Sequence, residues 1–255
     1  MHIDGRFRAR VLAGEFLAGS WLNLGSPITA EMAGLCGFDW VLMDHEHGPG
    51  SEMTLISQLQ AVAATPAVGL VRIANNDPTR VKRVLDAGAR GIMVPYVSTA
   101  AEAAAAVDAM RYPPRGIRGV AKLTRATGFG MTFDDYFAHA HEWLVTMPQM
   151  ETAEAVANSA AIAAIDGVDV LFVGPMDLTT SLGIPGAYED ARAIEAFRHV
   201  AGSAKASGKA AGILLQNPAH VTMCRELGYT FIALGSDGGA AAAGLQRARQ
   251  ELRSR

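Results

Sequence analysis

The sequence predicts a single (β/α)8 barrel that extends over residues 1–255. Short apolar runs recur about eight times, and most lack the polar alternation of a half-exposed sheet, which is typical of parallel strands covered by helices on both faces. Helices that end at glycine precede several of these runs, and helix start signals follow them. No linker divides the chain, so a closed barrel is favoured over a doubly wound open sheet.

The predicted strands are the apolar runs themselves. They cover residues 20–24, 40–44, 67–72, 91–95, 144–149, 170–174, 210–215 and 230–235. Helix ends are predicted at Gly37, Gly88 and Gly228, each a few residues before a strand. Glycine adopts the left-handed conformation that closes a last helical turn. The pattern therefore indicates βα units in series.

Helix start signals follow three of the predicted strands. Asp77 and Asn217 each precede a proline suited to a first helical position, and Thr99 forms a capping box with Glu102. The one irregular connection lies between the fourth and fifth strands and runs to about residue 140 as a polar, Gly- and aromatic-containing segment. A loop of this length in a compact domain is typical of a lid, an interface arm or a wall of a site.

Composition excludes several classes of function. The formal net charge is -3, and no basic stripe indicates a nucleic-acid partner. No apolar run approaches a membrane span, and the first residues mix arginines with apolar side chains instead of forming the apolar region of a signal peptide. We therefore expect a cytoplasmic protein without a membrane partner. Cys36 and Cys224 fall in predicted helices and are expected to be reduced core thiols.

Polar side chains are concentrated where the predicted strands end. In barrels of this kind the carboxyl ends of the strands carry the chemistry, and polar groups confined to one end are hard to explain by packing alone. These strand-end residues are Asn23, Asp44, His45, Glu46, His47, Arg72, Tyr96, Gln149, Glu151, Asp177, Gln216, Asn217, Ser236 and Asp237. For Asn217, Ser236 and Asp237 the alternative is that they cap the helices that follow.

Glu151 and Asp177 are the candidate metal ligands. Gln149 and Glu151 lie two residues apart at one strand end, so their side chains are expected to point the same way. Asp177 follows the next strand. Two carboxylates on neighbouring strand ends, without a third nearby in sequence, suit a weakly held hard cation with open positions. The alternative is that both are ordinary surface carboxylates.

The run from Asp44 to His47 contains two histidines, His45 and His47. Paired histidines occur in metal-dependent hydrolase barrels, but that alternative needs further histidines at later strand ends, and none falls there. A single histidine acting as acid or base is the more economical interpretation, because the ordinary pKa of histidine lies nearest neutrality. A structural histidine is the remaining alternative.

Lysine placement excludes a Schiff-base mechanism, which requires a lysine inside the barrel. The lysines are Lys82, Lys122, Lys205 and Lys209, in predicted helices, in the long loop or just before a strand. Any carbon–carbon chemistry here then requires a metal. Arg72, at a strand end, is a natural partner for an anionic substrate or a developing enolate, because guanidinium offers fixed paired donors. The glycine-rich turn 235–239 is a weaker candidate for binding a carboxylate or phosphate.

These residues and motifs resemble the HpcH/HpaI aldolases, the metal-dependent class II pyruvate aldolases typified by 4-hydroxy-2-oxoheptanedioate aldolase. The likeness runs over nearly the whole chain. It includes Gly19-Ser20-Trp21, Gly37-Phe38-Asp39-Trp40, Asp44 to His47, Arg72, Asn76-Asp77-Pro78, Arg111-Tyr112-Pro113-Pro114, Gly116-Ile117-Arg118-Gly119-Val120, Gln149-Met150-Glu151, Gly174-Pro175-Met176-Asp177-Leu178 and Gly212-Ile213-Leu214.

The resemblance implies a divalent cation, Mg²⁺, Mn²⁺ or Co²⁺, held by Glu151 and Asp177 and chelated by a 2-oxo acid. The cation would act as a Lewis acid towards an enolate, which adds to an aldehyde or forms when the aldol breaks. His47 matches the family's catalytic histidine, and Arg72 matches the arginine that steadies the enolate and carbonyl oxygens. Substrate contacts are implied for Trp21, Gln149, Gly174, Pro175, Met176 and Leu214.

The resemblance also implies an oligomer. Asp86 matches an aspartate that the family pairs with its histidine, but it lies late in a helix, away from the strand ends. We therefore expect it to act as a catalytic residue by reaching the partner subunit's His47 in a homohexamer, a trimer of dimers, whose last helix packs across a subunit boundary. His45 replaces a small residue of the family pattern, so we expect it, with Asp44, to affect proton transfer or acceptor choice.

The expected function is reversible aldol cleavage of 4-hydroxy-2-oxo acids to pyruvate or hydroxypyruvate and an aldehyde. Examples of such substrates are 4-hydroxy-2-oxoheptanedioate and 2-keto-3-deoxy sugar acids. The alternatives are a phosphosugar isomerase or lyase that uses the turn at 235–239, a metal-dependent hydrolase, and a non-catalytic barrel that serves in binding or assembly.

Overall fold

A computed structural model of the chain describes residues 3–254. In this range eight parallel strands close into a barrel, each paired with its neighbour in sequence and β8 paired with β1. The strands are β1 Leu17–Leu22, β2 Trp40–Asp44, β3 Val68–Arg72, β4 Gly91–Val94, β5 Val145–Met150, β6 Val170–Val173, β7 Ala210–Leu215 and β8 Phe231–Ser236. The predicted (β/α)8 barrel is confirmed.

Helices surround the barrel and close its amino-terminal end. They are α1 Arg6–Leu12, α2 Pro27–Leu35, α3 Glu52–Val62, α4 Pro78–Asp86, α5 Ala100–Met110, α6 Phe133–Trp143, α7 Ala153–Ala157, α8 Ser159–Ala163, α9 Pro175–Ser181, α10 Ala191–Ala206, α11 His220–Glu226 and α12 Asp237–Arg253. Within residues 3–254 no helix has the length and apolarity that crossing a membrane requires.

Most of the predicted local signals are present in the structure. Asp77 accepts hydrogen bonds from two amides of the first turn of α4, and Thr99 and Glu102 form the reciprocal capping box of α5. The glycines after α2, α4 and α11 have left-handed φ angles of 90°, 100° and 102°. These helix ends therefore follow from the backbone freedom of glycine.

Two predicted boundaries were wrong. β1 begins at Leu17, not at residue 20, because Leu17 pairs with Phe231 of β8, a contact across the barrel that the local sequence does not contain. α11 begins at His220, not directly after Asn217. The side chain of Asn217 instead accepts a hydrogen bond from the Ala219 amide in the turn before the helix.

The long connection between β4 and β5 contains more structure than predicted. Its second half forms α6, which buries Tyr136 and Ala140 against the barrel. In its first half Arg118 is 2% exposed and its guanidinium lies 4.5 Å from the ring centroid of Tyr112. Packing of this aromatic and guanidinium cluster orders a segment whose composition alone resembles a loop.

The prediction of two core thiols is wrong for one cysteine. Cys224 is buried in α11, whereas Cys36 is exposed, and neither forms a disulfide. Cys36 lies one residue past the end of α2, where the chain turns into the left-handed Gly37. The end of the helix therefore places its side chain outside the core.

Alternate side chains of the strands fill the barrel interior. Trp40 stacks on Phe231 with ring centroids 4.2 Å apart, and Phe172 meets Trp40 edge-on. Phe7 of α1 closes the amino-terminal end against Phe231 at 6.3 Å. Because side chains two apart point to the same face of a strand, the interior series of β2 that begins with Trp40 continues to Asp44 at the opposite end. We call that carboxyl-terminal end the barrel mouth.

Candidate active site

Asp44 and Arg72 form the centre of a buried ion-pair network at the barrel mouth. They end β2 and β3 in register with each other. Arg72 donates from Nε to Asp44 Oδ1 at 3.0 Å and from Nη2 to Asp44 Oδ2 at 2.6 Å. Its Nη1 lies 2.9 Å from Glu46 Oε2, and its guanidinium lies 5.3 Å from the ring centroid of Trp21. The guanidinium is therefore held on both edges and on one face.

Asp44 also shapes the loop after β2. Its carboxylate accepts hydrogen bonds from the Glu46 and His47 amides and from Trp21 Nε1. Burial by itself would raise the pKa of Asp44, but the hydrogen bonds and the charge of Arg72 hold that pKa below its ordinary value. Burial raises the pKa of Glu46, with the charge of Arg72 opposing it. Asp44 is thus the ionised anchor of the network.

Glu151 and Gln149 project from the end of β5 into a shared space. Glu151 is 2% exposed and Gln149 is 3% exposed. Gly174, after β6, makes this space, because a Cβ atom there would lie 2.5 Å from Glu151 Oε1 and 3.1 Å from Gln149 Nε2. Gln149 Oε1 is buried without a hydrogen-bond partner in the part of the chain that the structure describes.

Tyr96 connects Glu151 to Asp177. The main-chain amide of Tyr96 donates to Glu151 Oε2 at 3.0 Å, and its hydroxyl donates to Asp177 Oδ1 at 3.1 Å. Asp177 lies in the first turn of α9. Neither carboxylate forms an ion pair with an arginine, lysine or histidine of residues 3–254, in contrast to Asp44 and Glu46, which share Arg72. Both predicted metal ligands therefore accept a hydrogen bond from the same residue, Tyr96.

This arrangement places the buried carboxylate of Glu151 near the half-buried carboxylate of Asp177. Burial, together with the nearby charges of Asp177 and Glu46, raises the pKa of Glu151 to about 7, against the lowering effects of the Tyr96 amide and Arg72. Like charges and burial both disfavour an ionised carboxylate, and a cation between Glu151 and Asp177 would reverse that effect.

The donor set fits a divalent cation. Two carboxylates and the unpartnered amide oxygen of Gln149 are hard oxygen ligands. No group of three or more His, Cys, Asp or Glu side chains among residues 3–254 is suited to hold a metal. The protein would therefore supply Glu151 and Asp177 and leave other positions to water and substrate. The same absence of a histidine cluster does not favour the metal-dependent hydrolase alternative.

His47 and Asp86 lie apart in the single chain. The side chain of His47 is 69% exposed, with Nε2 at 3.9 Å from Glu46 Oε2. Asp86 is the last residue of α4 and accepts a hydrogen bond from Arg118 Nη2 at 2.7 Å. The structure places His47 beside the ion-pair network and Asp86 against the long β4–β5 connection. Within one chain it does not bring them together.

His45 faces away from the mouth. It is one residue out of phase with Asp44, on the outward side of β2 that carries Met43, and it lines a cavity of about 250 Å³ with Glu52 and Arg80. Its Nε2 is buried without a hydrogen-bond partner among the described residues, and burial lowers the pKa of this histidine. The structure therefore does not place His45 with the carboxylates of the mouth.

The other predicted contact residues surround the mouth. Trp21 is buried and lies 5.6 Å from the Phe172 ring, and Leu214 of β7 is half-buried in the interior group. Pro175 and Met176 begin α9, and Met176 is 54% exposed. These apolar side chains form a wall beside the polar groups of the mouth.

Sequence reasoning missed the roles of Glu46 and Tyr96. Glu46 stands two residues from Asp44, the spacing that placed Gln149 with Glu151, so strand alternation was a usable signal. No comparable signal existed for Tyr96. Its connection to Glu151 and Asp177 depends on a φ angle of 52°, which the sequence does not reveal.

The glycine-rich segment 235–239 is not a separate turn, because it forms the end of β8 and the start of α12. Two of its amides already donate hydrogen bonds within the chain. The Gly238 amide donates to Asn23 Oδ1 and Asp237 Oδ1, and the Gly239 amide donates to Ser236 Oγ. These amides are not free for an anion, and Asp237 adds a negative charge. The phosphosugar alternative is therefore not favoured.

Comparison with known proteins covers almost the entire chain. The HpcH/HpaI aldolase/citrate lyase family model matches residues 17–243. The chain is 43% identical over 242 residues to the 5-keto-4-deoxy-D-glucarate aldolase of Salmonella paratyphi C (strain RKS4594), covering 95% of this chain and 94% of that protein.

Solved structures agree with this match. An HpcH/HpaI aldolase/citrate lyase family protein from Burkholderia cenocepacia J2315 has a TM-score of 0.93 at 38% identity and covers 98% of this chain and 100% of its own. The HpcH/HpaI aldolase from Desulfitobacterium hafniense DCB-2 has a TM-score of 0.90 at 26% identity, with 96% of both chains covered.

Proposed function

The chain belongs to the HpcH/HpaI aldolase/citrate lyase family, and we propose that it is a divalent-metal-dependent class II aldolase acting on 4-hydroxy-2-oxo acids. In this reaction the acid is cleaved reversibly to pyruvate or hydroxypyruvate and an aldehyde. The observation that carries the proposal is the pair of carboxylates at the mouth, buried Glu151 and half-buried Asp177, which share Tyr96 but form no ion pair with a basic side chain among residues 3–254.

The proposed metal ligands are Glu151 and Asp177. Mg²⁺, Mn²⁺ or Co²⁺ bound there would supply a Lewis acid for the carbonyl and enolate oxygens of a 2-oxo acid. Gln149 supports the same space, because its buried Oε1 lacks a partner in the described chain. Gly174 keeps that space open, since any larger residue would place a Cβ atom against Glu151.

Arg72 is the proposed stabiliser of developing negative charge. Two of its five N–H groups donate to Asp44, and Nη1 forms an ion pair with Glu46 Oε2, so N–H groups on Nη1 and Nη2 remain for substrate oxygens. Because the guanidinium is already fixed, its donors need no reorganisation when charge appears on the substrate. Asp44 is thus a positioning residue for Arg72.

His47 is the proposed base. Its side chain is exposed at the edge of the network, so it can take a proton from the donor carbon through an ordered water. The first-turn amides of α9, at Met176 and Asp177, are the proposed contacts for the donor carboxylate, because no helix carbonyl is available to them. Trp21 and Leu214 form the proposed apolar wall beside the acceptor.

The relative named 5-keto-4-deoxy-D-glucarate aldolase suggests the substrate class. We propose a keto-deoxy sugar diacid for this chain as well. Cleavage breaks the bond between the hydroxyl-bearing carbon and the methylene next to the ketone. The hydroxyl loses its proton and becomes the aldehyde of a three-carbon acid, and the electron pair stays on the methylene, which takes up a proton to give pyruvate.

A homo-oligomer is part of the proposal, with the hexamer as the specific expectation. α12 has no buried residue, and its Leu245 and Leu252 are 74% and 83% exposed. The β4–β5 connection exposes Leu123 and Met131 at 77% and 83%. We propose that these apolar groups lie in subunit interfaces, where an assembly would cover them. In such an assembly Asp86 would approach the partner subunit's His47. A monomeric mass in solution with full activity would contradict this.

Deuterium exchange into pyruvate and hydroxypyruvate tests the central step. Metal-stripped protein is incubated with each acid in D₂O, with and without Mg²⁺ and without any aldehyde, and exchange is followed by NMR. We expect Mg²⁺-dependent exchange and, in parallel, pyruvate release from 5-keto-4-deoxy-D-glucarate. No exchange from either acid, with the metal shown to be bound, would contradict the aldolase mechanism.

A further inference from the structure

Tyr96 has an unusual backbone for its residue type. Its φ angle is 52°, in the left-handed region where residues other than glycine are uncommon, and it follows β4 at the barrel mouth. Conformations of this kind persist where the surrounding structure determines them, and they cluster at functional sites. Here the conformation turns both the main-chain amide and the hydroxyl of Tyr96 towards carboxylates.

The two hydrogen bonds of Tyr96 go to different elements. Its amide reaches Glu151 after β5, and its hydroxyl reaches Asp177 on α9. One residue therefore contacts two carboxylates on different elements, neither of which forms an ion pair with a basic side chain of residues 3–254.

We propose that Tyr96 is a positioning residue that sets the separation and orientation of Glu151 and Asp177 for a divalent cation. The inference rests on the proposed metal site. By binding Oδ1 of Asp177, the hydroxyl fixes the plane of that carboxylate and leaves Oδ2 free for the cation. Partners of this kind outside the ligand set typically change metal affinity when removed.

The exposure of Tyr96 agrees with this role. The residue is 53% exposed, so its hydroxyl is held by the hydrogen bond to Asp177 more than by core packing. Removing the hydroxyl therefore tests the contact without opening a cavity in the core.

The test compares Tyr96→Phe with the wild type in Mn²⁺ titrations of metal-stripped protein, followed by calorimetry or by the electron paramagnetic resonance of free Mn²⁺. We expect Tyr96→Phe to bind Mn²⁺ roughly 10-fold more weakly. Its metal-free melting temperature should match that of the wild type, and its loss of turnover should shrink as the metal concentration rises.

Tyr188→Phe is the matched control. Tyr188 is a buried tyrosine whose ring packs edge-on against Phe197 and His220. Among the described residues the hydroxyl that binds Asp177 is that of Tyr96, not that of Tyr188. We expect its Mn²⁺ affinity to equal that of the wild type.

The outcomes separate the two hypotheses. Wild-type protein that binds no Mn²⁺ would overturn the proposed metal site and this inference with it. Wild-type binding with equal affinity in Tyr96→Phe would overturn only the role of Tyr96. A lower turnover that persists at saturating metal with unchanged affinity would assign Tyr96 to substrate contact instead of ligand positioning.

Discussion

The two ends of the barrel contain the same kinds of charged side chains in different balance. At the amino-terminal end, carboxylates meet arginines. The pairs are Arg8–Asp169 at 2.8 Å, Arg10–Asp39 at 2.8 Å, Arg90–Asp4 at 3.3 Å and Arg111–Asp166 at 2.9 Å. At the mouth, Asp44 and Glu46 share Arg72, while Glu151 and Asp177 have no such partner in the described residues.

Ion pairing within the chain separates a structural charge cluster from a candidate ligand site. A buried charge that forms an ion pair within the chain needs no further counter-charge. A buried carboxylate without a partner is unfavourable unless something from outside compensates it. The amino-terminal end contains a cavity of about 450 Å³ lined by Arg6, Arg10, Arg90 and Asp4, so the presence of a cavity does not mark the candidate site. The balance of charges distinguishes the two ends.

The strongest test of this comparison is Glu151→Gln. Losing a metal ligand removes Lewis-acid assistance of several kcal/mol, so we expect kcat/KM for aldol cleavage to fall by about 10³-fold or more. The isosteric change removes a buried carboxylate without a partner, so the fold should persist, as circular dichroism would show. Asp166→Asn, at a carboxylate 91% exposed at the other end, is the control and should keep its activity. Turnover restored in Glu151→Gln by excess metal would mean that Asp177 alone suffices.

The opposite result is expected for Asp169→Asn. Asp169 is fully buried and accepts hydrogen bonds from Arg8 Nε at 2.9 Å and from the Thr146 amide at 3.0 Å. Removing its charge leaves Arg8 without its anion, which costs about 3 kcal/mol of unfolding free energy. Urea unfolding measures this loss, and kcat per folded molecule should not change. A variant as stable as the wild type would show that the amino-terminal pairs do not hold the fold.

The pH dependence of stability should reveal the uncompensated carboxylate. In metal-free protein Glu151 has a pKa of about 7, against an ordinary value of 4.5 when unfolded. Between these pH values the unfolded chain has released a proton that the folded chain still holds, so the unfolding free energy should fall as pH rises, by up to roughly 3 kcal/mol. Urea unfolding with a chelator at several pH values measures this slope.

The Glu151→Gln variant and the carboxyls of the amino-terminal end provide two comparisons for this pH dependence. Glu151→Gln should lack the slope, and a slope that survives in this variant would have another source. For Asp4 and Asp166 at the amino-terminal end the sign is reversed, because hydrogen bonds from Arg6 and Arg111, respectively, lower the pKa of these two carboxyls. Their contribution to stability is lost only as the pH falls below the ordinary value of 3.8.

The smallest effect is expected at His45. Its side chain faces α3 and α4 instead of the mouth, so His45→Ala should change kcat/KM by less than about 3-fold, because no contact to the reacting groups is lost. Steady-state kinetics with two aldehydes of different length measures this. A large change, or a change in acceptor preference, would restore the expectation that His45 acts in proton transfer or acceptor choice.

Local sequence signals determined much of the fold. The unbroken apolar strands, the left-handed glycines after α2, α4 and α11, and the caps at Asp77 and Thr99 each act over a few residues, so they can be recognised without the partner elements. Strand alternation also determined that Gln149 and Glu151 would share one side of β5. The same rule, applied to β2, separates Asp44 and Glu46 from His45.

Which strand ends meet is determined only by closure of the barrel. Leu17 joined β1 because Phe231 lies beside it, Arg72 reached both Asp44 and Glu46, and Tyr96 reached Glu151 and Asp177. That Glu151 forms no ion pair with a basic side chain of residues 3–254, although Arg72 pairs with Asp44 and Glu46, is likewise a property of the assembled mouth. Such contacts join residues far apart in the chain, and their distances depend on strand register and closure, which no local pattern of residues specifies.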